Sequence, residues 1–337
     1  MLVLNNDDVT RLLDMDSCIE GIEQAFRARG DGKLARSSVA GLELLGGGLH
    51  AKLGAVQLSR AYAAAKVNAN FPENPALRGL PTVQGVVVLF DAESGVPLAC
   101  MDSATITAVR TAAASAVAAK YLALSGASSL TLIGCGIQAA SHFTAFQCVR
   151  AIRRVVLFDL NREAAQRLAR DLSNTSALDV SVAAGIREAA LASEIVVTST
   201  PSRSPILDVG DVKPGTFIAA VGADNENKQE IAPALLRAAA VVVDDIDQCS
   251  RIGDLHHAIS GGVMRREDVR GSLDRVVAGS ARGRLDDNEI LIFDSTGVAI
   301  EDVVAAAIVF ERAEELGAKG AVLADSSRAS GRSSSSP

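Results

Sequence analysis

The segment GCGIQA, residues 134–139, has the residue types and spacing of a phosphate-binding turn. It follows an apolar run and precedes a helical stretch that continues to about Arg150. Gly134 and Gly136 let the backbone turn tightly and approach a pyrophosphate, and Ala139 permits close packing of the helix on the strand. The N-terminus of the helix adds N–H donors and the positive end of its dipole. Without its flanking elements, such a turn would indicate only a glycine-rich loop.

A carboxylate at the end of the next apolar run narrows the choice of ligand. Asp159 closes the run VVLFD, residues 155–159. In a dinucleotide-binding unit an acid at this point hydrogen-bonds the adenosine ribose and repels a 2′-phosphate. The turn and the acid together predict NAD(H), and Arg162 leaves NADP(H) open as the alternative.

Two different patterns of secondary structure surround this turn. Before it, the pattern predicts a helix over 7–29, capped by Asp7 or Asp8, and a long buried Ala-rich helix over 104–124. Between these helices, short apolar or alternating runs predict an antiparallel or mixed sheet, with strands around 39–45, 61–67 and 83–90.

From about residue 128 the pattern changes to alternating strands and helices. This alternation predicts a parallel sheet covered on both faces, with strands at 130–134, 155–159, 194–200, 217–224 and 240–245. After the loop FDSTG, a last helix near 299–316 is expected to return to the first region. The predicted division is one discontinuous domain of residues 1–125 and 299–324, a dinucleotide-binding domain of 126–298, and a disordered low-complexity tail of 325–337.

Composition excludes several classes of protein. The 337 residues carry 33 Lys and Arg against 40 Asp and Glu, a net charge of −7, which argues against nucleic acid or an anionic membrane as partner. The five cysteines form neither a CxxC pair nor a metal-ligand cluster, so we expect no metal and a reducing, cytoplasmic location. We also expect neither a signal peptide nor a membrane span.

Five segments in order carry a resemblance to a known family. They are KVNANFPENPALRGLPTVQG (66–85), TAVRTAAASAVAAKYLA (107–123), GCGIQA, VGADNENKQEI (221–231) and FDSTGVAIED (293–302). Together they resemble the ornithine cyclodeaminase/μ-crystallin family over nearly the whole chain. The resemblance implies a homodimer in which a discontinuous α+β domain, for substrate and dimerisation, joins a Rossmann domain with a doubly wound parallel sheet. It also implies hydride transfer at a carbon that bears an amino or imino nitrogen.

The resemblance assigns three basic residues to the substrate carboxylate. They are Arg36, Lys66 and Arg110, with Arg110 also near the cofactor. Lys66 lies in an apolar run and Arg110 in an Ala-rich helix. An unpaired charge would be costly in either place, which favours a functional role. Arg36 is also compatible with a surface loop.

The resemblance further implies that Asp224 is the catalytic acid/base, since an amine must lose a proton to deliver hydride. Lys66 is grouped with it as catalytic. Thr296 is placed beside the substrate. The remaining positions match cofactor contacts: Thr82, Ile137, Gln138, Thr200, Val221, Lys228 and Ser295. Backbone capping is the alternative role for the Ser and Thr residues. Glu301 and Asp302 are assigned to the first turn of the last helix and left outside the site.

One position departs from the ornithine cyclodeaminases. Where they have a glutamate that faces the distal amine of ornithine, this chain has Lys52, with His50 beside it. A lysine repels a diamine and attracts an anion, unless it points to solvent. The sequence therefore predicts an NAD(P)H-dependent reductase of a small α-imino acid, in its sharpest form iminosuccinate reduced to aspartate. Pyrroline-2-carboxylate and pyruvate with ammonia remain open as substrates. Ornithine cyclodeamination and a non-catalytic binding role remain as alternative functions.

Overall fold

The computed structural model describes residues 1–33, 35–175 and 178–317 of the chain. The predicted tail, 325–337, lies outside the described residues. Within the described ranges, no helix combines the length and the apolar character needed to cross a bilayer.

The first part of the chain forms a six-stranded sheet with flanking helices. Its elements are β1 (Leu2–Leu4), α1 (Asn6–Leu12), α2 (Met15–Gly30), β2 (Ala35–Leu44), β3 (Gly47–Gln57), β4 (Ala61–Asn70), α3 (Asn74–Arg78), β5 (Val83–Asp91), β6 (Pro97–Asp102) and α4 (Ser103–Leu122). The strand order is β1-β6-β5-β4-β3-β2. All neighbours are antiparallel except β1 and β6, so of the two predicted alternatives, antiparallel or mixed, the sheet is mixed.

The prediction of a single helix over 7–29 is wrong, because the chain forms two helices there. The first helix is capped by Asn5 and ends at Leu12, where Leu13 adopts an extended conformation. Asp14 then caps the second helix by accepting the backbone N–H of Ser17. The Ala-rich helix is confirmed as α4, whose Asp102 cap accepts the N–H of Ala104.

The second part of the chain forms an eight-stranded parallel sheet. Its elements are β7 (Ser129–Ile133), α5 (Ile137–Val149), β8 (Arg154–Phe158), α6 (Arg162–Thr175), β9 (Asp179–Val182), α7 (Ile186–Leu191), β10 (Ile195–Thr198), β11 (Arg203–Leu207), β12 (Phe217–Ala220), β13 (Gln229–Ile231), α8 (Pro233–Ala238), β14 (Ala240–Val243), α9 (Ile246–Cys249), α10 (Asp254–Ser260), a 3-10 turn (Arg266–Asp268), β15 (Gly271–Ser272), α11 (Leu273–Val277) and β16 (Leu291–Asp294).

The order of this sheet is β15-β14-β16-β12-β10-β7-β8-β9, and β11 pairs separately with β13. Strands β10, β12 and β16 are buried along their whole length, as parallel strands covered by helices must be. The predicted fold class, α/β with a Rossmann-type parallel sheet, is confirmed. Because Phe293 and Asp294 end a strand, the loop predicted at FDSTG begins only at Ser295.

The last helix, α12 (Ala299–Glu315), packs against α2, α4 and strands β2 to β5 of the first sheet. It is apolar around most of its circumference and almost wholly buried. At the closest approach, Gly54 of β3 leaves no room for a Cβ against Ala299. The helix thereby carries the loop that follows β16 to the first sheet.

Candidate active site

A cavity of about 350 Å³ lies where the first sheet meets the loops after β10, β12 and β16. Its wall on the first-sheet side includes His50, Lys52, Lys66, Asn68 and Arg110. The predicted substrate residue Thr296 and most of the predicted cofactor residues also line it: Thr82, Gln138, Thr200, Val221, Lys228 and Ser295. The backbone of Arg36 lies in β2 opposite Ala55, and its side chain lies outside the described part.

Two cations of the cavity wall, Lys52 and Lys66, lie side by side because their strands are neighbours in the sheet. Lys52 on β3 is directly opposite Lys66 on β4, so both side chains stand on the same face of the sheet. Lys52 does not point to solvent: its Nζ donates to the carbonyl oxygens of Thr296 (3.1 Å) and Gly297 (2.6 Å). Burial and the nearby charge of Arg110 lower the pKa of Lys52.

Lys66 and Arg110 both contact the carboxylate of Asp302, a residue outside the site predicted from the sequence. Oδ1 of Asp302 lies 2.6 Å from the Lys66 Nζ and 3.0 Å from the Arg110 Nε. The Arg110 Nη1 also donates to Glu301 Oε2 at 2.6 Å. All four side chains are at least 95% buried. Glu301 and Asp302 lie in the first turn of α12, as predicted, but that turn is buried against the two cations, a contact that the prediction did not include.

The surroundings shift the protonation of this cluster. Burial, with the charge of Arg110, lowers the pKa of Lys66 to about 7 despite the opposing effect of Asp302. Burial raises the pKa of Glu301 to about 7 against the effect of Arg110. For Arg110, burial is outweighed by the charges of Asp302 and Glu301, and the pKa is raised. At neutral pH Arg110 is thus a permanent cation and Lys66 a titrating one.

Asp224 lies in the loop after β12, on the part of the cavity wall that the parallel-sheet region supplies. Its Oδ1 lies 2.7 Å from the Lys228 Nζ and accepts from the Asn225 Nδ2, and the side chain is half exposed. Burial raises the pKa of Asp224, but the charge and hydrogen bond of Lys228 outweigh it and leave the pKa below its ordinary value. The carboxylate is therefore ionised, ready to accept a proton.

The turn at 134–139 has the shape that a dinucleotide requires. Gly134 has φ +90°, and a Cβ there would meet the Ser199 carbonyl at 2.7 Å. At Gly136, which caps α5 without a side-chain hydrogen bond, a Cβ would meet nothing, so this end of the helix is open. Asp159 braces the turn by accepting the N–H of Cys135 at 2.7 Å. These residues fit a pyrophosphate on the helix N-terminus.

Gly134, Gly136, Ile137 and Asp159 do not line the cavity itself. They lie along the same edge of the parallel sheet, with Gln138 on both the helix and the cavity wall. The described residues contain no group of three or more His, Cys, Asp or Glu side chains that could hold a metal ion.

A sequence profile of the ornithine cyclodeaminase/mu-crystallin family matches residues 1–317. The chain is 38% identical to an alanine dehydrogenase of Archaeoglobus fulgidus over 93% of this chain and 95% of that protein. It is 35% identical to the iminosuccinate reductase of Paracoccus denitrificans over 94% of this chain and 98% of that protein.

Comparison with solved structures also finds relatives that act on amino acids or imines. An archaeal alanine dehydrogenase dimer with bound NAD has a TM-score of 0.90 and 38% identity, covering 95% of this chain and 98% of that one. The pyrroline-2-carboxylate reductase of Thermococcus litoralis, in complex with NADH and L-proline, has a TM-score of 0.88 and 31% identity, covering 94% and 98%. The predicted resemblance is thus confirmed, and the chain belongs to the ornithine cyclodeaminase/mu-crystallin family.

Proposed function

We propose that the protein reduces a small α-imino acid to the amino acid, with hydride passing from nicotinamide C4 to the imine carbon. Its named relatives are oxidoreductases of amino acids or imines, and the chain is an oxidoreductase acting on CH–NH₂ or C=N groups. The observation that carries the proposal is one cavity lined by Lys66, Arg110 and Asp224, with the dinucleotide turn on the same sheet edge.

Each wall of the cavity has a separate task. Arg110 and Lys66, with Arg36 as the third residue implied by the family, would bind the α-carboxylate, because such an anion in a dry pocket needs charged donors. When bound, the nicotinamide ring supplies or accepts the hydride. Asp224, through Oδ2, would exchange a proton with the substrate nitrogen, while Lys228 holds Oδ1.

The charge on the cavity wall supports the finer assignment of iminosuccinate as substrate and aspartate as product. Lys66 and Arg110 are paired with Asp302 and Glu301, and Lys228 with Asp224. Lys52 has no carboxylate within 4 Å among the described residues and donates only to carbonyl oxygens. Among the described cations of the wall, Lys52 is therefore the one that we expect to meet a second carboxylate, with His50 beside it on β3. A relative of 35% identity bears the name iminosuccinate reductase.

The two alternative functions differ from this proposal in what they need from the cavity. Ornithine cyclodeamination would place a distal ammonium group against Lys52 or His50, a repulsive arrangement. A binding protein without catalysis would need no proton-accepting carboxylate in the same cavity as the carboxylate-binding cations. Proline formation from ornithine without added reductant would favour the first alternative, and cofactor binding without any turnover would favour the second.

A substrate panel tests the proposal. Oxidation of NADH and of NADPH would be followed with oxaloacetate plus ammonia, pyruvate plus ammonia, and preformed pyrroline-2-carboxylate. We expect the highest kcat/KM with iminosuccinate and NADH. If pyrroline-2-carboxylate or pyruvate with ammonia were reduced at least as well, the dicarboxylate assignment would be wrong. No oxidation with any of the three would overturn the imine reductase itself.

We also propose that the cofactor is NAD(H), because Asp159 occupies the strand end that would face a 2′-phosphate. NADP(H) stays the alternative, with Arg162 at the start of α6. The neighbouring structures contain NAD or NADH. All five cysteines are free thiols, which supports the cytoplasm as the location.

A second copy of the chain is the proposed partner of the outer face of the first sheet. Val67 and Val86 are cross-strand neighbours on that face, with Leu53 nearby on β3, and all three are exposed. A relative with a TM-score of 0.90 is described as a dimer. Val67→Asp should therefore produce monomers in light scattering, whereas Leu160→Asp, at a side chain 93% exposed on the other part of the chain, should not. A monomeric wild type, or a dimeric Val67→Asp, would contradict this.

A further inference from the structure

The carboxylate of Glu230 lies behind the cavity and is buried completely. It is on β13, two residues after Lys228, and it does not line the cavity. Burying a charge is costly unless hydrogen bonds compensate for it. Neither the predicted site nor the proposed reaction includes Glu230.

Four donors surround this carboxylate, one at the end of β10 and three in the loops after β10 and β12. Oε1 accepts the backbone N–H of Thr200 at 2.6 Å and its hydroxyl at 2.7 Å. Oε2 accepts the hydroxyl of Thr198 at 2.7 Å and the backbone N–H of Gly222 at 2.8 Å. Thr200 belongs to the loop after β10, and Gly222 to the loop after β12. One side chain thus joins two loops that both line the cavity.

Gly222 is shaped by the same contact. A Cβ at this position would collide with the Glu230 carboxyl group and with the Thr200 carbonyl oxygen. The two loops and the carboxylate are therefore packed too closely for any other residue at 222. Val221 precedes this glycine and Asp224 follows it by two residues, so its position also fixes the wall that carries the proton-exchanging carboxylate.

The backbone of Glu230 is fixed in turn by a second buried acid, Asp254. Asp254 Oδ1 accepts the backbone N–H groups of Glu230 (2.7 Å) and Ile231 (2.8 Å). Asp294 Oδ2 accepts the N–H of Leu255 at 2.9 Å, and Asp294 ends β16 immediately before Ser295. The buried acids therefore connect the carboxyl ends of β10, β12 and β16.

We propose that Glu230 is a positioning residue that fixes the loops after β10 and β12 in the geometry that binds the nicotinamide half of the cofactor and presents Asp224 to the substrate. The role of Glu230 toward Asp224 rests on the proposed function, whereas its role in cofactor binding depends only on the dinucleotide site. Each carboxylate oxygen faces a backbone N–H, which can only donate. An amide at 230 would therefore direct its NH₂ group against one of these N–H groups, whichever way it is turned.

Glu230→Gln is the direct test, because it preserves shape and removes one acceptor. We expect the dissociation constant for NADH, from nicotinamide fluorescence, to rise about tenfold to a hundredfold. With the best imine substrate, kcat should fall as well, because Asp224 loses its position. Both quantities are expressed per folded site after the folded fraction has been measured by thermal denaturation.

Glu194→Gln is a matched control. Oε2 of Glu194 accepts two backbone N–H groups and a hydroxyl from Ser128 and Ser129, at the opposite end of the parallel sheet. This variant should lower the melting temperature but leave the NADH dissociation constant within about twofold. If Glu230→Gln changed only the melting temperature, as the control does, Glu230 would be purely structural and the proposal would be overturned.

Gly222→Ala supplies a second test that does not alter the carboxylate. It should weaken NADH binding, and the double variant with Glu230→Gln should be less damaged than the product of the two single effects, since both disturb one contact. Independent, multiplicative effects would contradict the proposal. A wild type that binds NADH but reduces no imino acid would overturn the proposed function, while the NADH-binding tests would still decide the role of Glu230 in cofactor geometry.

Discussion

The replacement Asp302→Asn should lower the pH range over which the protein binds a carboxylate, because binding depends on the positive charge of Lys66. In the wild type, burial lowers the pKa of Lys66 to about 7. The protonated amine is the form that binds an anion, so affinity should be full below this pH. Above it, affinity should fall by up to tenfold per pH unit, as the protonated fraction does.

The size of the change follows from the contact between the two groups. At an effective dielectric constant of about 20, a full charge at 2.6 Å from the Lys66 Nζ contributes roughly 6 kcal/mol. The asparagine oxygen keeps part of this interaction energy. We therefore expect the pKa of Lys66 to fall by about two units, or roughly 2.7 kcal/mol. At pH 7 the protonated fraction would drop from about one half to about one in a hundred, which weakens carboxylate binding roughly fiftyfold.

Lactate is a suitable ligand because it has one carboxylate, which stays ionised down to pH 5, and no other group that titrates between pH 5 and 9. Its inhibition constant against the imino acid would be measured across that range for the wild type and for Asp302→Asn. Lowering the pH to 5 should restore much of the affinity of the variant, because Lys66 is protonated again. Removing one partner of a buried ion pair also costs about 3–5 kcal/mol of folding free energy, so the folded fraction must be checked.

Glu301→Gln is the control for this experiment. Glu301 faces Arg110 and has a pKa raised to about 7 by burial, so it titrates in the same range. The variant removes that titration and keeps the Lys66 contact with Asp302. Its affinity should still fall above pH 7. If Asp302→Asn weakened binding to the same extent at every pH, the loss would come from altered geometry and not from the charge of Lys66, which contradicts this prediction.

Three further substitutions test other parts of the site. Asp224→Asn should lower kcat by about 10²- to 10⁴-fold and leave the NADH dissociation constant within about twofold; fluorescence titration and steady-state rates check this, and unchanged turnover would exclude the assigned role. Asp159→Ser should weaken NADH binding by about tenfold and raise the preference for NADPH, measured as the ratio of kcat/KM for the two cofactors. Lys52→Met should reduce kcat/KM for iminosuccinate by about ten- to a hundredfold more than for pyruvate with ammonia, and an equal loss for both would rule out a contact with the second carboxylate.

The sequence predicted the elements whose patterns are local. The turn at 134–139, the Ala-rich α4 and the fully apolar strands of the parallel sheet all carry periodicity or composition within a short window. Strand β3 was missed because Gly47, Gly48 and Gly54 interrupt its apolar pattern. The break between α1 and α2 was missed because Leu13 continues the apolar spacing, although Asp14 can cap a new helix.

The partners of the buried cations could not be predicted from spacing, because the pairs are far apart in the chain. Asp302 is 236 positions from Lys66, and Glu301 is 191 positions from Arg110. No periodic pattern connects such positions. Only the topology, in which α12 returns to the first sheet, brings them together.

A physical signal for these acids was nevertheless present in the sequence. The family resemblance assigned Lys66 and Arg110 to the site, and the cost of an unpaired charge in an apolar segment supported that role. The same reasoning applies to Glu301 and Asp302, which stand in the apolar stretch VAIEDVVAAAIVF. Two buried cations and two buried carboxylates must then satisfy one another, since each alone would be more costly than the pair. Charge balance within the core therefore predicts long-range contacts that periodicity cannot.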